Sequence, residues 1–141
     1  MVNIRLATIE DATELHNMCL LFNSSETATT RQAIESYLQN SNVIIMLAEV
    51  AHEPVGFICG TVAHHLSFAT PIGDITEIFV KSEHRRTSVA KKLFTALEQE
   101  FIKQDVMRFR VFTTADNEKA IKFYQSRDFH RYDTVMFRKN V

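Results

Sequence analysis

A basic turn between a predicted strand and a predicted helix carries the strongest chemical signal in the sequence. The apolar residues 78–80 lead into the polar segment 81–88, and a strongly amphipathic segment follows. Cationic side chains surround this junction: Arg85, Arg86, Lys91 and Lys92. A helix N-terminus presents unpaired N–H groups and a partial positive charge, so phosphate groups bind there readily. The pattern favours a phosphate site, and a solvated basic turn is the alternative.

Glu77 is the candidate general base because it lies within the apolar segment 75–80. A carboxylate in such a segment costs free energy unless it faces a wet cleft or has a partner. In a cleft it can accept a proton directly or through water. The alternative is a structural glutamate bonded to a neighbouring strand or an arginine. His64 and His65 end another predicted strand, where they are either solvated or able to accept a proton near pH 7.

Several other kinds of chemistry lack support in the sequence. The chain has 3 glycines, which never cluster, so a Gly-rich nucleotide loop of the Walker or dinucleotide type is excluded. No Gly-x-Ser-x-Gly elbow is present, and no spacing of His, Cys and carboxylates suggests a metal site. Cys19 and Cys59 lie inside apolar patterns, which predicts reduced, buried thiols.

Length and composition predict one globular domain over residues 1–141. Hydrophobic residues make up 45% of the chain and charged residues 23%, an ordinary globular balance. Sixteen Lys and Arg against seventeen Asp and Glu give a net charge of -1, so no global field recruits nucleic acid or an anionic membrane. No apolar run is long enough to span a bilayer and residues 1–5 do not form a signal peptide, so we expect a cytoplasmic protein.

Hydrophobic periodicity predicts the elements that position these residues. Thr8 and Asp11 form a capping box before the first helix, and Thr30 is a cap for the second. The pattern predicts further helices over 89–103 and 117–126, and strands over 2–7, 43–50, 55–63, 75–80, 107–112 and, as a final pair, 129–138. The order is β-α-α-β-β-β-α-β-α-β-β. We therefore expect an α/β (α+β) fold with a mixed, mostly antiparallel central sheet flanked by helices.

Two motifs in this order resemble those of the GNAT superfamily of acyl-CoA-dependent N-acetyltransferases. The family's pyrophosphate signature, Gln/Arg-x-x-Gly-x-Gly/Ala, is similar to Arg85-Arg86-Thr87-Ser88-Val89-Ala90, with Ser88 where glycine is usual. The family's Asn-x-x-Ala-x-x-Phe-Tyr-x-x-x-Gly-Phe segment is similar to the segment from Asn117 to Phe129, with Asp128 in place of the glycine. The predicted element order also resembles that of the family over nearly the whole chain.

The resemblance implies that acetyl-CoA is the co-substrate. Backbone N–H groups from Arg86 to Ala90 would hold its diphosphate, and strand 77–80 would splay from strand 107–112 to pair with the pantetheine arm. The thioester carbonyl would lie against a backbone N–H near Phe79, as in an oxyanion hole. The residues implied to contact the cofactor are Ile78, Phe79, Val80, Arg85, Arg86, Thr87, Ser88, Val89, Ala90 and Asn117.

The resemblance also assigns catalytic roles. Tyr124 matches a family position whose phenol donates a proton to the departing sulfur, and its alternative role is packing with Ala120 and Ile121. A glutamate on the strand of Glu77 often acts as the base in the family. Asn117 can cap the short helix as well as contact the cofactor arm.

The implied function is transfer of an acetyl group from acetyl-CoA to a primary amine of a small molecule or peptide, by direct attack and without a metal. The alternative is an acyl-CoA-binding regulatory module of the same fold, which the departures at Ser88 and Asp128 motivate. The sequence does not identify the acceptor, although Glu26, Glu35 and Asp74 could attract a cationic amine and the polar segment 23–30 is expected to form a lid. Homodimers are common in the family, but periodicity indicates no dedicated interface.

Overall fold

The computed structural model describes residues 1–23 and 29–141, which form two compact units, Met1–Val111 and Phe112–Val141. The expected lid and the carboxylate of Glu26 depend on residues 24–28, which lie outside the described residues. The elements of the first unit are β1 (Val2–Leu6), a 3-10 turn (Ile9–Asp11), α1 (Ala12–Phe22), α2 (Arg31–Leu38), β2 (Val43–Val50), β3 (Glu53–Ala63), β4 (Ile72–Val80), a second 3-10 turn (Ser82–His84), α3 (Val89–Lys103) and β5 (Arg108–Val111). The second unit holds α4 (Glu118–Ser126).

The strands of the first unit form one sheet whose spatial order equals the chain order, β1-β2-β3-β4-β5. The first three pairings are antiparallel, and β4 pairs with β5 in parallel. A turn of only Ala51 and His52 joins β2 to β3, so that pair must be antiparallel. The parallel pair is possible because α3 carries the chain back across the sheet. The predicted α/β architecture with a mixed, mostly antiparallel sheet is confirmed.

Helices cover both faces of this sheet. The apolar side of α1 packs on one face, where buried Leu15 and Met18 meet Leu47, Phe57 and Phe79 of the central strands. Buried residues of α3, among them Leu97 and Phe101, cover the other face. There a Cβ on Gly73 would come within 2.8 Å of the Phe101 ring, so the glycine allows the helix to approach. The strands that carry the site are therefore held from both sides.

The structure confirms the predicted helix caps. Thr8 and Asp11 form the capping box, which opens the first 3-10 turn rather than α1 itself. The Thr30 hydroxyl accepts a hydrogen bond of 3.1 Å from the N–H of Ala33 at the start of α2. The predicted bounds of β2 and α3 are reproduced exactly as 43–50 and 89–103.

The predicted strand pair over 129–138 is wrong, because the structure assigns no strand to residues 127–141. The apolar side chains there, including Val135 and Phe137, are exposed. A strand exists only where its N–H and C=O groups pair with another strand. A β-like sequence pattern supplies the side chains for such a strand, but not the partner.

Candidate functional site

The second half of β4 has a strand partner on one side only. Pairing between β4 and β5 ends at Ile75 and Val111, whereas β4 continues to Val80. Residues 76–80 therefore pair with β3 alone within the first unit. Within the first unit the backbone groups on the other edge have no strand partner, so an extended ligand can pair there, except at the Val80 carbonyl, which accepts from Arg85. This gives a physical basis to the expectation that residues 77–80 splay from β5.

The hydrogen-bond pattern shows which backbone groups face that open edge. The N–H of Lys81 donates to the carbonyl of Val55 over 2.8 Å, so Lys81 points toward β3. Because antiparallel residues alternate in direction, Phe79 also points toward β3, and Ile78 and Val80 point away from it. The backbone donors near Phe79 that face the open edge are thus the N–H groups of Ile78 and Val80. The Phe79 side chain itself belongs to the core.

A β-bulge places Glu77 on the α1 face of the sheet. Glu77 lies opposite Cys59 and Ile75 opposite Gly60, which leaves Thr76 as the extra residue on β4. The Thr76 hydroxyl lies 2.7 Å from Oε2 of Glu77, to which it donates, and 3.1 Å from the Cys59 carbonyl. The Glu77 side chain is exposed, so the candidate base faces solvent and has a neighbouring hydroxyl as its hydrogen-bond partner.

Two thiols adjoin this carboxylate. Cys59 is opposite Glu77 in the sheet, and Cys19 lies on α1, packed against the same core. Burial raises the pKa of the Cys59 thiol to about 12, and the charge of Glu77 adds to the effect. Burial and the same charge also raise the pKa of Cys19. Both half-buried thiols therefore remain neutral near pH 7 and have no disulfide.

The basic turn is folded back onto the end of β4. Nε of Arg85 donates to the carbonyl of Val80 over 2.8 Å, and its guanidinium lies 5.9 Å from the centre of the Phe79 ring. Arg85 thus joins the turn to the strand. Arg86 adopts a φ of 61°, a left-handed conformation. The Thr87 hydroxyl donates to the carbonyl of His84 over 2.6 Å and closes the turn.

The first turn of α3 offers backbone donors. Ser88 is its N-cap residue, and among the described residues the structure gives the N–H groups of Ala90 and Lys91 no backbone acceptor. This is the ordinary state of a helix N-terminus. Ser88 has a φ of -79°, so the position where the related motif has glycine requires no left-handed backbone here. The Val89 side chain is buried in the core.

The other two predicted site residues belong to the second unit. The Asn117 side chain caps α4 by accepting a hydrogen bond of 3.2 Å from the N–H of Ala120, which confirms its capping role. Tyr124 lies in the last turn of α4, and its ring contacts Phe123 and Phe129 edge-on. Burial raises the pKa of the Tyr124 phenol, so the group stays protonated near neutral pH and can act as a donor.

Two of the three carboxylates that were expected to attract an amine, Glu35 and Asp74, already have cationic partners. Glu35 pairs with Arg31 at 3.1 Å on α2. Asp74 accepts two hydrogen bonds from Arg110, at 2.7 and 2.9 Å, and links β4 to β5 just before their pairing ends. Sequence patterns do not predict this link or the bulge at Thr76, because both depend on strand register.

Two further structural features bear on the expectations. His64 and His65 follow β3 and are exposed, and the His65 ring packs edge-on against Phe68 with 5.7 Å between ring centroids. Within residues 1–23 and 29–141, no helix is long and apolar enough to cross a membrane, and no three His, Cys, Asp or Glu side chains are grouped as a metal site.

Comparison with known sequences identifies related proteins. The profile of the acetyltransferase (GNAT) family matches residues 9–129. An acetyltransferase of Sodalis glossinidius is 27% identical over 103 residues, which are 73% of this chain and 68% of that protein. An acetyltransferase of Yersinia enterocolitica is 26% identical over 108 residues, which are 77% of this chain and 72% of that protein.

Solved structures share the fold. An aminoglycoside N-acetyltransferase bound to the bisubstrate analogue CoA-S-monomethyl-acetylneamine superposes with a TM-score of 0.90 and 19% identity, covering 100% of this chain and 99% of that one. A ribosomal-protein-alanine N-acetyltransferase of Brucella melitensis gives a TM-score of 0.81 and 19% identity, covering 99% and 100%. At such identities the likeness shows the fold alone.

Proposed function

The chain belongs to the acetyltransferase (GNAT) family and is an acyltransferase of that type, and from this premise we propose that it transfers the acetyl group of acetyl-CoA to a primary amine of a small molecule or peptide. The observation that carries the proposal is the open edge of residues 76–80 beside the free first-turn amides of α3. The edge suits an extended amide-containing arm, and the helix N-terminus suits a diphosphate.

We assign the diphosphate to the turn from Arg85 to Ala90. The N–H groups of Ala90 and Lys91 are oriented by the helix, and the small side chains of Ser88 and Ala90 leave room for phosphate oxygens. Arg85 positions the turn through its bond to Val80, and we propose that Arg86 and the backbone of Thr87 and Val89 complete the site. Asn117 is proposed as a contact of the cofactor arm on the basis of the family motif alone.

The proposed reaction needs a neutral amine, a polarised carbonyl and a proton for the leaving sulfur. Glu77 accepts a proton from the ammonium group, directly or through water. The open-edge N–H groups of Ile78 and Val80 stabilise the negative charge that develops on the carbonyl oxygen as the amine nitrogen attacks. Tyr124 donates a proton to sulfur as the carbon–sulfur bond breaks, a role assigned from the family motif, and the second proton that the nitrogen loses returns to the phenolate through solvent. The products are the N-acetylated amine and free CoA thiol.

The competing proposal is an acyl-CoA-binding module with little transfer activity. It was suggested by Ser88 and Asp128, which replace glycines of the family motifs. The negative φ of Ser88 removes one reason to doubt binding, since this backbone does not need glycine. Asp128 has a φ of 67° at the end of α4, a conformation that aspartate adopts more readily than most residues. Both observations weaken the reason for preferring the binding module.

Two measurements on the full chain test the proposal. Acetyl-CoA should raise the melting temperature, and incubation with acetyl-CoA and primary amines should release free thiol above the hydrolysis background. Stabilisation without amine-dependent thiol release would favour the binding module. Failure of millimolar acetyl-CoA to raise the melting temperature would contradict both proposals.

A further inference from the structure

One exposed aromatic ring lies at the end of α1 on the side of the sheet that carries Glu77. Phe22 is the last residue of α1, and its ring meets that of Phe79 edge-on with 6.0 Å between centroids. Phe79 is 7% exposed, whereas Phe22 is 44% exposed. Phe79 therefore holds the Phe22 ring in place, and Phe22 presents the apolar surface that a ligand can contact.

The Glu77 carboxylate and the Phe22 ring lie on the same face of the sheet. Phe79 lies opposite Phe57 of β3, and Glu77 lies opposite Cys59. Because alternate residues of a strand share one face, all of these side chains lie on the face that packs against α1. On α1, Cys19 precedes Phe22 by about one turn and is close enough to Glu77 for the carboxylate to raise the pKa of its thiol. Two neutral thiols, Cys19 and Cys59, therefore lie near the carboxylate on this face.

Three other carboxylates of this unit, on α1, α2 and β4, are paired with cations. Arg31 neutralises Glu35, Arg110 neutralises Asp74, and Nζ of Lys81 lies 3.9 Å from the Glu14 carboxylate. Glu77 is not part of any of these pairs, and its carboxylate accepts a hydrogen bond from the Thr76 hydroxyl. A polycation would gain little on such a face, because each extra ammonium group needs its own carboxylate.

We propose that the acceptor is a monoamine with an aromatic or bulky apolar body, of the arylalkylamine class, with its ammonium group at Glu77 and its ring against Phe22. This inference rests on the proposed function and names its substrate class. Glu77 takes one proton from the ammonium group, the freed nitrogen pair forms the bond to the acetyl carbon as the carbon–sulfur bond breaks, and the second proton lost by the nitrogen balances the one with which the sulfur leaves. A ring stacked beside Phe22 is removed from water, which lowers the KM of arylalkylamines relative to short polar amines.

A comparison of amines at fixed acetyl-CoA tests the substrate class. We expect kcat/KM for 2-phenylethylamine to exceed that for ethanolamine, spermidine and an aminoglycoside by roughly tenfold or more, the discrimination that a small apolar contact can supply. If spermidine or the aminoglycoside were the better substrate, the inference would be overturned and the proposed function would stand. If no amine released thiol, the transferase proposal itself would fail, and the inference with it.

Variants at the end of α1 test the role of the ring. Phe22→Ala should raise KM for 2-phenylethylamine roughly tenfold while leaving kcat/KM for ethanolamine within about twofold. Phe22→Leu keeps most of the apolar volume, so its KM for 2-phenylethylamine should lie between those of the wild type and Phe22→Ala. Leu21→Ala is the matched control, because Leu21 is 69% exposed on the same helix turn, and it should leave both amines unaffected.

The melting temperature and its increase with acetyl-CoA confirm that each variant is folded. Equal losses for 2-phenylethylamine and ethanolamine in folded Phe22→Ala and Phe22→Leu would contradict a role of the ring in recognition. A selective loss for the aromatic amine in Phe22→Ala, smaller in Phe22→Leu and absent in Leu21→Ala, would support it.

Discussion

At the scale of single residues, Tyr124 combines a structural role with the proposed chemical one. At the end of α4, the N–H of Phe129 donates to the carbonyl of Tyr124 over 3.1 Å, and the N–H of Asp128 donates to that of Gln125 over 3.2 Å. These are the two bonds of a Schellman motif, and the accompanying apolar contact is the one between the Tyr124 and Phe129 rings. The ring supports the helix end, while the hydroxyl is the group with catalytic potential.

Tyr124→Phe separates the two roles, because it keeps the ring and removes the hydroxyl. We expect kcat to fall by about 10²-fold, the usual loss of a general acid, with acetyl-CoA affinity and melting temperature unchanged. The measurements are steady-state kinetics and a thermal shift titration. Tyr132→Phe is the control, since Tyr132 is exposed on the same unit. An unchanged kcat would remove Tyr124 from the acid role.

Glu77→Gln tests the base in a similar way. The amide keeps the shape and accepts the hydrogen bond from Thr76, but it cannot take a proton. We expect kcat/KM near pH 7 to fall by about 10²-fold and the deficit to shrink at alkaline pH, where more of the amine is already neutral. Glu53→Gln, at an exposed position at the start of β3, serves as control. A pH-independent deficit would indicate a positioning role instead.

At the scale of elements, the scarce glycines are placed in strands rather than in turns. All positive-φ residues of the chain that the structure describes are non-glycine: Ala51, His52, Arg86, Asp105 and Asp128. Asp105 follows α3 in the position that helices usually give to glycine, with the N–H of Val106 donating to Phe101 over 3.1 Å. By contrast, Gly60 and Gly73 provide the space for the Phe101 ring against the sheet.

This distribution predicts opposite effects of two substitutions. Asp105→Gly should stabilise the protein by about 1 kcal/mol, because it relieves a left-handed conformation that costs an L-residue roughly that much. Gly73→Ala should destabilise it, because the new Cβ would meet the Phe101 ring at 2.8 Å. Chemical denaturation of both variants gives the two free energies of unfolding. If Asp105→Gly lowered the free energy of unfolding instead, the Asp105 side chain would have to stabilise the turn through interactions that glycine lacks.

Local sequence patterns predicted the helices and strands well, but they predicted strand pairing and register less well. Amphipathic spacing gave the bounds of α3, and the continuous apolar run gave those of β2. Register determines what the patterns could not indicate: the bulge at Thr76 and which backbone N–H groups face the open edge of β4. The candidate site was therefore predicted as a set of residues, whereas its donors emerge only from strand pairing.

At the scale of the whole molecule, one arginine joins the first strand to the rest of the fold. Arg5 on β1 donates two hydrogen bonds to Asp11, at 2.8 and 2.9 Å, and two to Glu49 on β2, at 2.7 and 2.9 Å. Asp11 also closes the capping box with Thr8. The hydrogen bonds from Arg5 lower the pKa of both the Asp11 and the Glu49 carboxyl groups.

This network predicts a specific pH dependence of stability. Because folding lowers both carboxyl pKa values, the network contributes fully above about pH 4, the ordinary range of these groups, and its contribution is lost as the pH falls through the lowered values. Arg5→Met should therefore cost about 1 kcal/mol at neutral pH, a modest value because the arginine is partly solvated. The deficit should narrow as acid protonates the carboxyls.

Melting temperatures of wild type and Arg5→Met from neutral pH down to about pH 3 measure this difference directly. Arg31→Met is the matched control, since it removes the more exposed ion pair with Glu35 on α2 and should cost only a few tenths of a kcal/mol. A deficit for Arg5→Met that stayed constant into acid would mean that packing of the arginine stem, rather than its ion pairs, holds β1 to the sheet.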